Sequence, residues 1–247
     1  MSLAPLRAVI LDNDETTGSY LILQSIIKSV QHLGNNIDPS FFGYILENLA
    51  LWMLKESIFR PGLIEFLRTL VKLKKEDKID VIIMYTNQYE SNTTLITSLP
   101  RCIEYMFMFL VPGFVFDKII TRPENPVTIN NVYPKQFKRV LDLYPERPLD
   151  ITNMLFFDDL AVPLYIRADG IEIISEKSWV LVEPYSCILY KENIKDCINF
   201  CLDEMADIKT FTDSVIKYYS KNIRNIPASN PRPCSYFTEL VEKKFNN

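Results

Sequence analysis

The chain has 247 residues, 48% hydrophobic and 23% charged, with a formal net charge of −4 and a sequence pI near 5.2. That composition can fill a core and excludes fibrous, collagenous and disordered classes, while the acidic balance argues against nucleic acid or anionic lipid as a whole-molecule partner. Any phosphate bound by this protein therefore has to be held by local groups.

The opening Met-Ser-Leu-Ala-Pro-Leu-Arg leads straight into an apolar run ending at Asp12 and carries no signal-peptide pattern. No stretch approaches the roughly 20 apolar residues that span a bilayer, so the expectation is an intracellular protein, cytoplasmic with the nucleus as the alternative, that engages no membrane. The five cysteines, Cys102, Cys187, Cys197, Cys201 and Cys234, are odd in number and scattered, which indicates neither a disulfide framework nor a structural zinc site. Cys197 and Cys201 lie one helical turn apart and read as packed helix residues, because the lone histidine, His32, is distant in sequence.

In chain order, Leu6 to Leu11 reads as a buried strand opening into Asp12-Asn13-Asp14-Glu15. Helical spacing predicts a helix from Tyr20 to Leu33, stopped by Gly34-Asn35-Asn36, a second from Pro39 onward, and a third from Arg60-Pro61-Gly62 to about Lys74. Ile79 to Tyr85 is a second buried strand ending at Thr86-Asn87, with a polar stretch after it that suits a helix cap. The aromatic and methionine run Tyr105 to Phe109 is expected to be buried against the sheet. Phe114 to Ile120 gives a third strand, and the Tyr133-Pro134 step introduces a helix from about Lys135 to Leu143. Asn153 to Phe157 is a fourth strand ending at Asp158-Asp159, with Gly170 to Ile174 and Trp179 to Val182 as short strands on the far side of the sheet. Beyond Pro184 the pattern turns helical, from Ile188 to Met205, Ile208 to Tyr219 and Phe237 to Phe245, with a Pro/Asn-rich break at Ile226 to Pro233.

Strands alternating with helices predict an α/β fold, a three-layer doubly wound parallel sheet with a helical insert after strand 1 and a C-terminal helical appendage. The expected organisation is a core over 1–185, including the insert over 19–59, and a helical extension over 186–247. Ligands of such sheets bind outside the carboxyl ends of the strands, where Asp12, Asp14, Thr86, Asn87, Asp158 and Asp159 fall. Four carboxylates at two strand ends repel one another unless a cation joins them, and hard oxygen ligands suit Mg²⁺ bound together with phosphate. A carboxylate there can attack phosphorus in line, with a lysine and the metal neutralising the charge that develops on the phosphoryl oxygens. Lys135, at the start of its helix, is the lysine in position, with Lys138 and Arg122 as alternatives.

A strand-end Asp-x-Asp-x-Thr (Asp12, Asp14, Thr16), a strand-end Thr86, a lysine and the acidic pair Asp158-Asp159, in that order, resemble the four motifs of the haloacid dehalogenase superfamily. The resemblance covers about residues 6 to 175. It implies that Asp12 is the nucleophile and Asp14 the general acid/base, with Thr86, Asn87 and Lys135 binding phosphate. Asp12, Asp158 and the Asp14 backbone carbonyl would ligate Mg²⁺, with Thr16 and Asp159 in support. Asp-Glu-Thr after the nucleophile, Arg60-Pro61-Gly62, Tyr133-x-Lys135 and Gly170-Ile171 are closest to the branch of RNA polymerase II C-terminal-domain phosphatases and their small relatives. Thr17-Gly18 and the helical insert depart from that branch. The resemblance thus implies a Mg²⁺-dependent phosphomonoester hydrolase; the branch cues put a phosphoserine or phosphothreonine protein first as its substrate, with a small phosphorylated metabolite or a nucleic-acid end as the alternatives. A non-catalytic scaffold of the same fold is the rival, and self-association through the C-terminal helices stays open.

Overall fold

The computed structural model describes residues 4–32, 38–89, 98–124, 135, 138–147, 150–159, 164–167, 170–173, 178–202, 207–223 and 231–246. The expected stop at Gly34-Asn35-Asn36, the Tyr133-Pro134 step and most of the 226–233 break lie outside the described residues. Strand β1 (Ala8–Leu11) is buried at every residue and is paired in parallel on both sides, with β2 (Val81–Tyr89) and β4 (Met154–Asp158). Adding β3 (Lys118–Arg122) outside β2 and β7 (Trp179–Leu181) outside β4 gives an all-parallel sheet of five strands, in the order β3-β2-β1-β4-β7. The fold is therefore α/β with a parallel sheet. Its apolar runs follow from burial on both faces.

Strand alternation sorts the core. Val9, Leu11, Met84 and Phe157 face one layer, and Ala8, Ile10, Ile83 and Phe156 face the other. On the first face lie α1 (Leu21–His32), α2 (Pro39–Lys55), α3 (Leu63–Lys75) and α4 (Leu99–Leu110), joined by α6 (Lys191–Cys201), α7 (Ile208–Asn222) and α8 (Cys234–Phe245). The second face receives Val140 of α5 (Lys138–Leu141). Right-handed crossovers explain the division: β1 to β2 to β3 runs outward one way, and the return to β4 on the other side must cross the opposite face. The chain thus reverses direction between β1 and β4, the kind of crevice in which open α/β sheets bind ligands.

The insert and C-terminal helices interlock, because α1 packs on α7, α2 on α6 and α3 on α8. At the base of that contact Phe66, Phe157 and Phe237 form a ring cluster with centroids 4.9–5.6 Å apart. Among the described residues no helix is long and apolar enough to cross a membrane.

Four expectations need correction. Strand β3 starts at Lys118 rather than Phe114: Phe114 and Phe116 pack edge-on at 4.9 Å beside Phe107 of α4, so their apolar character serves the helical layer. Gly170–Ile173 (β6) joins no far edge of the main sheet; it pairs antiparallel with β5 (Leu164–Arg167) in a separate two-stranded sheet. Strand β2 continues to Tyr89, so Thr86 and Asn87 lie inside a strand, where the register against β3 shifts between Tyr85 and Tyr89. Such irregularities re-aim side chains beside sites. Helix α5 begins at Lys138, leaving Lys135 ahead of it.

Candidate functional site

The β1–β4 register brings two of the acids together. Leu11 lies opposite Phe157, and the Asp12 N–H donates to the Phe157 carbonyl at 2.9 Å, which extends the ladder by one residue. Asp12 and Asp158 consequently leave the sheet side by side. Carboxylate oxygens of Asp12, Asp158 and Asp159 lie within 4.8 Å of one another, with Asp12 and Asp158 buried. The Lys135 ammonium, buried as well, donates to Asp12 Oδ1 at 2.5 Å and to Asp158 Oδ2 at 2.8 Å. The single Thr16 hydroxyl proton is shared between Asp12 Oδ2 at 3.3 Å and Asp159 Oδ1 at 3.4 Å.

The loop after Asp12 is tightly wound. The Asn13 carbonyl accepts from the Thr16 and Thr17 N–H groups, Glu15 N–H donates to Gly18, and Glu15 adopts φ 63°, the left-handed region. Arg60, 1% exposed, fixes this loop from below. Its guanidinium donates to the carbonyls of Thr16 (2.6 Å), Glu15 (2.9 Å), Glu183 (2.5 Å) and Arg232 (2.7 Å). Arg60 thereby joins the loop after Asp12 to the segment after β7 and to the approach to α8. Burial holds its pKa below the ordinary arginine value.

Electrostatics at the acids follow from burial first and from neighbouring charges second. Burial pushes Asp12 up to about 6; Asp159 and Asp14 add to the rise and Lys135 opposes it. Asp159 is likewise raised to about 6, by burial, then by Asp158 and Glu15. For Lys135, burial favours the neutral form, but the charges of Asp12 and Asp158 outweigh it and the pKa is raised.

Asp12, Asp14, Thr86, Asn87, Lys135 and Asp159 all border a single cavity of about 470 Å³. Asp158 sits behind them as a partner of Lys135, and Thr16 is fully buried beneath. Thr86 Oγ1 accepts from the Gln88 N–H at 3.2 Å. Of the alternatives to Lys135, Arg122 borders the same cavity without touching Asp12; the side chain of Lys138 lies outside the described residues. Periodicity and motif spacing did not foresee the far wall, where Gln24 of α1, Ser186, Cys187 and Asn222 of α7 border the space. The signal available was only that the C-terminal helices are amphipathic, which demands a packing partner without naming it.

Three clustered carboxylates of hard oxygen character suit a divalent cation such as Mg²⁺, and the pKa values of Asp12 and Asp159, raised first by burial and then by neighbouring acids, mark ionised forms that a cation would stabilise. The donor set is not specific to that metal. No protein-family model, curated protein or solved structure matches the chain. The functional reading therefore rests on the site itself.

Proposed function

We propose that the chain is a Mg²⁺-dependent phosphomonoester hydrolase that works through an aspartyl-phosphate on Asp12. The carrying observation is the Asp12–Lys135–Asp158 contact at the β1–β4 crevice, with Asp159 alongside and a cavity in front. The motif order that resembles the haloacid dehalogenase superfamily supports the same reading. Asp12 and Asp158, with the Asp14 carbonyl, would hold the metal; when bound, it supplies charge neutralisation at the phosphoryl oxygens.

An ionised Asp12 oxygen attacks phosphorus in line while Lys135 offsets the growing negative charge. Asp14, at the cavity wall, gives its proton to the departing alkoxide oxygen. It then takes a proton from the water that attacks the acyl phosphate, which releases inorganic phosphate and restores Asp12. Thr16 orients Asp12 throughout. A cavity of about 470 Å³ between the sheet edge, α1 and α7 matches a small-molecule site, which favours a small phosphorylated metabolite over a phosphoprotein.

Replacing Asp12 with Asn should lower turnover of an aryl phosphate by a factor on the order of 10⁴. The measurement is hydrolysis with and without Mg²⁺, beside a chelated control. Equal turnover by wild type and Asp12→Asn would sink the nucleophile assignment. Absence of hydrolysis in wild type, together with no stabilisation by Mg²⁺ and beryllium fluoride, would leave the scaffold reading in its place.

A further inference from the structure

The cavity is electrically lopsided. Its acids, Asp12, Asp14, Glu15 and Asp159, gather at the β1–β4 end. Lys135 is there too, engaged by Asp12 and Asp158. Arg122, at the carboxyl end of β3 and two strands from β1, borders the same cavity. Two strand spacings of about 4.8 Å separate β3 from β1, so Arg122 stands a side-chain length away from the reacting carboxylate rather than on it.

Two independent features set Arg122 apart. Its Nε is buried and has no hydrogen-bond partner, and among the described residues the side chain forms no ion pair. Its backbone, by contrast, is secured: Arg122 pairs with Tyr89 of β2, and Arg139 donates to the neighbouring Thr121 carbonyl. A buried donor on a guanidinium is costly to leave unmatched, and a planar cation facing a polar cavity fits a carboxylate or phosphate in two-point contact.

We propose that Arg122 anchors a second anion subsite, so that the substrate is a small phosphomonoester carrying another anionic group, a carboxylate or a second phosphate, at its far end. The substrate class rests on the hydrolase reading above; the anion subsite can be measured apart from turnover. In this arrangement the phosphoryl group meets Asp12 and Lys135 while the distal anion meets Arg122. Asn87 and Gln88, on the intervening strand β2, border the same cavity. The acids at the other end orient the molecule by repelling that distal anion from the nucleophile's side.

Phosphonates test this without hydrolysis, because their carbon–phosphorus bond is not a substrate bond. Calorimetric titration in Mg²⁺ would compare alkylphosphonates with ω-carboxyalkylphosphonates and α,ω-bisphosphonates of three to five methylenes, on wild type and Arg122→Met. The two-anion ligands should bind wild type at least about 10-fold more tightly than the matched alkylphosphonate, and Arg122→Met should erase most of that advantage. Retention by the carboxylates alone or the bisphosphonates alone would identify which second anion the subsite takes. Equal binding of all three series, no binding of any, or an advantage that survives Arg122→Met overturns the subsite. Aryl phosphate hydrolysis is read separately on wild type: its absence alongside Arg122-dependent binding removes the hydrolase reading and leaves the anion subsite standing.

Discussion

Lys135 lets two buried carboxylates share one strand-end crevice, since its ammonium touches both Asp12 and Asp158. Removing one member of such a buried set leaves an uncompensated charge, which costs more than the pair contributes when intact. Glu15 shows the other kind of residue-scale constraint. It holds φ 63° three residues after Asp12, a conformation that crowds any side chain with a Cβ. Glu15→Gly should therefore raise stability by about 1 kcal/mol, whereas the β-branched Glu15→Val should lower it by more. Urea unfolding midpoints check both, and a Glu15→Gly protein less stable than Glu15→Val would refute the strain. The acids of the site were legible because each follows an apolar run that only a buried strand explains. The left-handed Glu15 was not, because nothing in Asp-Glu-Thr distinguishes a strained turn from a relaxed one.

At the scale of elements, periodicity located α1, α2, α3 and α7 closely, since their apolar stripes face one continuous core. It failed where apolar residues serve a neighbour other than the sheet. Phe114 and Phe116 carry a strand-like alternation, yet they pack on Phe107, and pairing starts only after Asp117 accepts from the Ile82 N–H at 2.8 Å. The junction of α3 and α8 was equally hidden. Gly62 caps α3 at φ 82°, and an added Cβ would lie 3.1 Å from the Ser235 backbone nitrogen in the first turn of α8. The Cys234 N–H meanwhile donates to the Pro61 carbonyl at 2.7 Å, so the two helices cannot easily move apart. Gly62→Ala should cost about 1–2 kcal/mol from backbone conformation alone, with the contact adding to it. The check is chemical denaturation, with protease cleavage near α8 as a local readout; a variant as stable and as resistant as wild type would show that the junction is not strained.

Across the whole molecule, the helices before β2 and those after β7 close on one another over a single face of the sheet, and Arg60 ties that assembly to the loop after Asp12. Global stability should therefore register the charge state of the acids. Asp12 and Asp159 both stand at about 6, above the carboxylate value of 3.8 that an unfolded chain restores. The folded state thus binds more protons than the unfolded state between about 4 and 6, so stability falls as pH rises through that interval. For Asp12 alone the loss amounts to at most about 3 kcal/mol. Asp80, whose pKa is lowered while Arg7 and Arg147 pair with it, works the other way, but its contribution is lost only as pH falls below the ordinary carboxylate value. The metal-free protein should consequently melt at a higher temperature at pH 5 than at pH 7.5. Mg²⁺ should reverse the order by stabilising the protein chiefly at pH 7.5, where the acids are ionised and free to bind it. Calorimetry at the two pH values, with and without Mg²⁺, on wild type and an Asp12→Asn, Asp159→Asn double variant, provides the measurement. The double variant should lose most of the pH dependence and most of the Mg²⁺ effect together. A metal-free wild type that melts higher at pH 7.5 than at pH 5 would mean that the clustered acids do not carry the strained charge assigned to them.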